Sequence, residues 1–373
     1  MERTFDYVVV GGGCGGVDVA FHLRRLDPDA SVALVNPHPH LVFRPWLIYL
    51  PVGRLTEDRT QVDLRPFAAR WRLELVVGAV DSVDTRERRL VLAGGARLGY
   101  GQLAITTGAV SDRRLIPGGE AHAIFPCDTE QALELSRRFR ELDRGVVTVI
   151  LAGERPGPGL EYAGWMASTL AARPGPRRVR LQVVDHEDTA ARQLGARATR
   201  VLQRWTSGWD ATFVAGERVA AVGPGCVELA GGGQLESAVT AIVGPLRGAG
   251  PSLPADLTDA HGFVVSDECL RSRAEGVFAA GDVVALGAGR ELPKSWEITR
   301  IQAEGAARNM VAARRGGETT PFDARRARRL AFNTPNFGGR TVMARNGRLL
   351  VAGKLPLKLK ARMERRYLAE RFS

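Results

Sequence analysis

The chain has 373 residues, 45% of them hydrophobic and 25% charged, with a formal net charge of +11. That length holds two or three domains with sizeable cores, and the balance is that of a globular protein, not of a disordered or fibrous one. No apolar run approaches the roughly 18 residues needed to span a bilayer, and with an apolar strand almost at the start no cleavable leader is expected.

The charge is local. Residues 324–373 hold 14 Lys/Arg against 2 Asp/Glu, a net +12, while the rest of the chain, 38 against 39, nets −1. Such a segment suits an anionic surface or partner. Nothing but charge speaks for nucleic acid, because no reader motif or interleaved aromatic pattern accompanies it. The four cysteines, Cys14, Cys127, Cys226 and Cys269, are scattered without CxxC spacing. That excludes a disulfide framework or a regular zinc site and predicts a cytoplasmic setting.

In chain order, an apolar strand over 7–10 runs into Gly11-Gly12-Gly13-Cys14-Gly15-Gly16 and then a helical pattern, VDVAFHLRRL. Gly11, Gly13 and Gly16 match the dinucleotide fingerprint. The first makes the tight turn, the second lets a pyrophosphate approach the backbone, and the third lets helix and strand close-pack. The next strand, 31–35, ends at Asn36 where an acidic residue ordinarily grips the ribose; the amide can still bond a hydroxyl. Two later segments complete the pattern: 98–109, ending in Thr106-Thr107-Gly108, and 277–286, a strand running into Gly281-Asp282.

These three segments resemble the FAD-binding domain of flavoproteins with two dinucleotide-binding domains, the pyridine nucleotide-disulfide oxidoreductase superfamily. The resemblance implies bound FAD, with Asp282 at its ribityl or pyrophosphate region. It predicts an α/β fold of two nested Rossmann-like domains. The expected division is 1–112 with 245–322 for FAD, 113–244 for the second nucleotide domain, and 323–373 as a C-terminal segment ending in a basic amphipathic helix. No CxxxxC follows the first helix and no CxxC occurs in the second domain, so dithiol chemistry of the reductase type is excluded.

Further stretches resemble the branch of sulfide:quinone oxidoreductases, flavocytochrome c sulfide dehydrogenases and type II NADH dehydrogenases. NPHPHLVFRPWLIYLPVG (36–53), with Arg44 and Pro45, is similar to the aromatic-x-Pro segment that closes over the isoalloxazine. AIVGPLRGAG (241–250) and LPKSWEITRIQAEGAARNM (292–310) resemble the sulfide:quinone group's Pro-x-Arg-Gly turn and its Pro-Lys segment. By that resemblance Lys294 lies at the N1/C2=O edge of the flavin, where a cation favours the reduced anion, and the helix from Trp296 aims its N-terminus there. Cys127, just ahead of a helix capped by Asp128 or Thr129, matches a family cysteine that in some members joins the flavin. The two redox thiols are missing: Arg155 stands six residues before Glu161 where one is expected, and Asn333 replaces the other. Sulfide oxidation by the family mechanism is therefore not expected, and Arg155 points to an anionic substrate.

From Val146 a second strand–turn–helix–strand unit ends at Asp185, an acid that favours NADH over NADPH. Its turn argues against either. It is long, carries Glu154, and is expected to lose phosphate-binding donors at Pro156 and Pro158. At the C-terminus Leu359, Met363 and Tyr367, with Leu368 and Phe372, form an apolar stripe among Lys and Arg. A helix of that kind can lie on a membrane or dock on its own domain or a dimer partner. The sequence thus predicts an FAD-dependent oxidoreductase passing two electrons from a small substrate to a quinone-like acceptor. The alternatives are a type II-like NADH:quinone dehydrogenase and a non-enzymatic FAD-binding subunit.

Overall fold

The computed structural model describes residues 3–153, 156–174, 178–186, 195–208, 211–287, 294–326, 336–337, 339–345 and 348–373. Arg155 and Asn333 lie outside them.

Strand β1 (Arg3–Val10) is followed by helix α1 (Cys14–Leu26) and strand β2 (Val32–Asn36). β1 pairs parallel with β2 (Val8 opposite Ala33) and with a long later strand (Val9 opposite Ala104). Val8, Val9, Ala33, Leu34 and Ala104 are all fully buried, as a parallel strand covered on both faces requires. Helix α2 (Leu64–Arg70), strands β3 (Glu74–Val77), β4 (Val80–Asp84) and β5 (Arg89–Leu92), and the long strand β6 (Arg97–Ile105) complete the first half. The sheet order is β3-β2-β1-β6-β5-β4.

The chain then builds helix α3 (Thr129–Glu141), strand β7 (Gly145–Leu151), helix α4 (Pro156–Ala172), strand β8 (Val179–Asp185), helix α5 (Ala196–Thr206) and strands β9 (Ala211–Ala215) and β10 (Val239–Val243). The second sheet runs β9-β8-β7-β10, all parallel, with its own core of Val147, Val149, Leu181, Val183 and Ala241. Between the two halves Ala109–Ser111 pairs antiparallel with Leu246–Gly248. Strand β11 (Val277–Ala279) then returns to the first sheet beside β6. Helix α6 (Trp296–Arg314) packs along α1. A hairpin of β12 (Arg340–Arg345) and β13 (Arg348–Gly353) leads into the last helix, α7 (Leu355–Phe372).

Two expectations change. Pro156 and Pro158 belong to the first turn of α4, not to an open glycine turn. The first turn of a helix has no intrahelical partner for its N–H groups, so proline fits there without breaking the ladder. The C-terminal stripe is also divided. Tyr367 is 1% exposed, whereas Leu359 and Met363 are each 43% exposed, so the helix does not bury one continuous apolar face.

Candidate active site

One cavity of about 1460 Å³ runs from the glycine loop after β1 to the crevice at the carboxyl ends of the second sheet. Gly11, Gly13, Cys14, Gly15, Asn36, Arg44, Pro45, Thr107, Gly108, Cys127, Glu161, Gly281, Asp282 and Lys294 all line it. Of the expected site residues within the described chain, only Gly16 is absent from this wall, and its geometry explains why. A Cβ on Gly16 would stand 1.8 Å from the Gly11 carbonyl oxygen, so bare backbone is what lets α1 sit against the turn. Gly11 has φ +106°, a left-handed conformation suited to glycine. At Gly13, the N-cap of α1, no atom lies within 4 Å of the place a Cβ would take, so this backbone faces open space.

The loop is braced from behind. Asn36 Oδ1 accepts from the Gly12 N–H at 2.7 Å, and its Nδ2 donates to the His38 and His40 carbonyls at 2.8 and 3.2 Å. The neutral amide thus holds the loop's shape, a use open to Asn and not to a carboxylate, which has no donor. Thr106 Oγ1 donates to the carbonyls of Val10 and Gly11 at 2.8 and 2.9 Å, and Thr107 Oγ1 donates to Ala249 C=O. Gly281 N–H donates to Gln302 Oε1 at 2.9 Å, tying the return segment to α6. Cys14 is half-buried beside Asp18, and desolvation above all pushes its thiol up to about 12, so it stays protonated.

A family flavin fits this wall. The Gly13 backbone and the α1 N-terminus face free volume, which is what a pyrophosphate needs. At the far side Trp296 Nε1 is buried with no hydrogen-bond partner, and Trp296 also lines the cavity. Lys294 Nζ donates to the Val284 carbonyl and lies 4.2 Å from the Phe263 ring centroid. α6 begins immediately after Lys294 with Ser295 as its cap, the side chain accepting from Ile298 N–H at 3.3 Å. Arg44 Nη1 donates to the Ala109 carbonyl at 2.7 Å, which anchors the 3₁₀ turn Arg44–Tyr49 over the cavity.

Opposite stands a cluster assembled from distant parts of the chain. Glu161, on α4 and 7% exposed, accepts from Lys360 Nζ of α7 at 3.0 and 3.3 Å. Glu364, one turn further along α7, accepts from Trp46 Nε1 at 3.0 Å. Burial works against the Lys360 charge, but Glu161 and Glu364 outweigh it and hold the ammonium above its ordinary range. Burial likewise pushes Glu364 up, with Lys360 opposing. Lys360, Met363 and Glu364 line the same cavity as Cys127 and Tyr162. The Tyr162 hydroxyl donates to the Pro126 carbonyl, fixing the turn that carries Cys127, while Asp128 caps α3 by accepting from Gln131 N–H at 2.9 Å. Sequence reading missed Lys360, Glu364 and Trp46. The available signal was the spacing 360, 364, 367, 371 along one helix face, obscured by the apolar stripe beside it.

At the far end the crevice is lined by Gly153, Gly157, His186, Arg218, Val243 and Gly244. His186 Nε2 accepts from the Val219 N–H at 3.1 Å. Among the described residues no group of three or more His, Cys, Asp or Glu could hold a metal, and no helix is long and apolar enough to cross a membrane.

Comparison with known proteins bears on the family and the fold. A sulfide-quinone reductase of Aquifex aeolicus is 29% identical over 164 residues, 42% of this chain and 37% of that protein's length. The ferredoxin reductase subunit of a 5,5'-dehydrodivanillate O-demethylase from Sphingobium sp. is 29% identical over 339 residues, covering 86% of this chain and 77% of that one. The crystal structure of the sulfide:quinone oxidoreductase from Aquifex aeolicus superposes with a TM-score of 0.84 at 22% identity, covering 99% of this chain and 91% of that one, which shows a shared fold. Residues 5–307 match the pyridine nucleotide-disulphide oxidoreductase family, whose members carry FAD, and the chain belongs to that family.

Proposed function

We propose that this flavin-dependent oxidoreductase takes an electron pair from a small substrate and delivers it to a quinone-like acceptor. The observation that carries the reading is the Glu161–Lys360 pair with Glu364, set in the wall of the cavity that also receives the glycine loop. A quinone oxygen gaining electrons develops negative charge and needs a proton close by; a lysine held charged by two carboxylates offsets that charge, and Glu364, whose carboxyl burial pushes up, stands beside it as the group that can give the proton. When bound, FAD supplies the two-electron redox centre. The chain's own residues do the remainder. The α1 N-terminus and Gly13 backbone receive phosphate, Lys294 places a cation on the wall, and Arg44-Pro45 and Trp296 shield the cavity from water. With both family thiols absent, sulfide is not the substrate of this reading; Arg155 favours an anion.

The acceptor side favours an apolar molecule. Met363 lines the cavity and is 43% exposed, continuous with exposed Leu359 and Leu355 on the same helix amid Lys354, Lys358 and Arg362. That rim suits peripheral contact with an anionic membrane.

A type II-like NADH:quinone dehydrogenase is the second reading. It is favoured by the crevice at Gly153, His186 and Gly244 being part of the same cavity, although Pro156 and Pro158 leave the first turn of α4 two N–H donors short for a phosphate. Anaerobic mixing with NADH separates the two: prompt bleaching of the bound flavin establishes the second and overturns the first. For the first reading, Glu161→Gln and Lys360→Met are expected to lower kcat for reduction of a soluble quinone analogue about 100-fold, the general acid–base range, with flavin still bound. Unchanged quinone turnover in both variants would remove the cluster from the acceptor chemistry.

A further inference from the structure

One stripe of α7 joins α4, the 3₁₀ turn, α6 and α1. Lys360 pairs with Glu161 on α4, Glu364 accepts from Trp46, and Tyr367 meets the rings of Phe43 and Trp296 at 6.2 and 5.1 Å. Tyr367 also donates to the carbonyl of Cys14, the first residue of α1, at 3.5 Å. One turn on, Arg371 Nε donates to Asp18 Oδ1 at 2.8 Å, with both side chains buried. The positions 360, 364, 367 and 371 repeat at helical spacing, so a single face of a single helix makes all these contacts.

The Asp18–Arg371 pair is deep in a three-helix seam. Asp18 is fully buried on α1, Arg300 of α6 approaches its second oxygen with Nε at 3.7 Å, and Arg371 lies 3.8 Å above the Phe21 ring. Groups facing the pair include Cys14 and His22 from α1, Arg300 from α6, and Tyr367 and Glu370 from α7, with Glu304 of α6 beside His22. Burial of Asp18 is costly enough to raise its carboxyl to about 6 even against two arginines. A buried pair of this kind is weak ground for stability, and its retention is better explained by the register it enforces. The end of α7 is seated independently. Trp71 Nε1 donates to Arg371 C=O at 2.9 Å, Arg70 donates to Ser373, and Phe67 packs on Phe372 at 5.3 Å.

We propose that α7 is a brace clamped at both ends, in which Asp18 and Arg371 are positioning residues that set the register of Lys360 and Glu364 in the cavity and hold the first turn of α1 for the flavin. The inference rests on the proposed flavin site. It predicts that the pair acts on the glycine loop through Tyr367 and Cys14, which are 353 positions apart, and on the Glu161–Lys360–Glu364 cluster through the helix itself. Removing the charge without removing bulk should loosen the seating of α7 from Lys360 to Tyr367 against α4 and α1, while Trp71 and Phe67 still hold its last residues.

The test compares Arg371→Met, Arg371→Lys and Asp18→Asn in the full-length protein as purified. Three quantities are measured: the flavin dissociation constant, hydrogen exchange of α7 and α1 amides, and thermal midpoint. Arg371→Met and Asp18→Asn are expected to weaken flavin binding at least ~10-fold and to speed exchange at the amides around Lys360–Glu364 and at the start of α1 by a similar factor. Such a shift corresponds to a modest change in free energy. Arg371→Lys, which keeps the charge, should recover most of the affinity. Faster exchange confined to the last turn, with flavin affinity unchanged, overturns the proposal. So does loss of affinity in all three variants that only follows a lowered thermal midpoint. If the wild-type protein takes up no flavin, the flavin site itself fails; the exchange pattern still decides whether the pair sets the register of α7.

Discussion

Gly16 shows how one residue controls the loop. A methyl group at this position would overlap the Gly11 carbonyl oxygen, with Thr106 Oγ1 at 2.8 Å. Gly16→Ala is therefore expected to push α1 off the turn, costing about 1–3 kcal/mol, with most of the flavin lost on gel filtration; a yellow, equally stable variant would contradict this. His22 is a second case. Desolvation lowers its pKa from 6.5 to about 4, so it is neutral in the fold and protonates more readily in the unfolded chain. Its contribution is complete above pH 6.5 and is lost as pH falls toward 4. Two and a half units correspond to roughly 3 kcal/mol. Urea midpoints between pH 7 and pH 4 should fall less steeply in His22→Gln than in the wild type, and parallel curves would show that His22 is not the group responsible. Asp18 has the opposite sign over part of this range. Its raised folded pKa means that folding takes up a proton there, so its ionisation costs stability as pH rises toward 6.

At the scale of elements, local sequence signals and observed structure meet at the caps. Asp128 was one of two expected caps for α3, and its side chain is the one that accepts from Gln131 N–H. Asp128→Ala should cost about 1 kcal/mol and, by loosening the turn after Pro126, raise the alkylation rate of Cys127; a Tm unchanged within error would exclude the cap as a support for that turn. The glycine fingerprint, the two return segments and the parallel strands were legible because each is a short-range pattern with one steric solution. The first turn of α4 was misread because Pro and Gly punctuate loops and helix starts alike. The spacing that brings Lys360 and Glu364 to the site was present in α7. A charged residue on a basic helix ordinarily faces water, and nothing local distinguishes these two from Lys354 or Arg366.

For the molecule as a whole, the C-terminal charge acquires a place. The described part of the net +12 segment forms a hairpin and a helix whose one face closes the cavity. Its other side exposes Leu355 and Leu359 beside Lys354, Lys358 and Arg362. Binding to vesicles containing anionic phosphatidylglycerol should therefore exceed binding to neutral phosphatidylcholine and weaken with salt. The double variant Leu355→Glu/Leu359→Glu should reduce it at least ~10-fold, as loss of two buried leucines implies. Equal binding of wild type and variant, or none by either, removes the membrane from the reading of this surface.

The sequence by itself determined the family: a strand, a bare glycine loop, a helix and two return segments in fixed order admit few other folds, because each glycine answers a steric demand at a single place. It also shows Arg155 and Asn333, and no cysteine, at the two places where the resemblance expects the redox thiols. Only the tertiary structure decided what faces the cavity in their stead. Glu161 and Lys360 stand 199 positions apart, and Asp18 and Arg371 stand 353 apart. Pairs so distant leave no periodicity in one chain, and they meet only because the last helix packs against both α1 and α4.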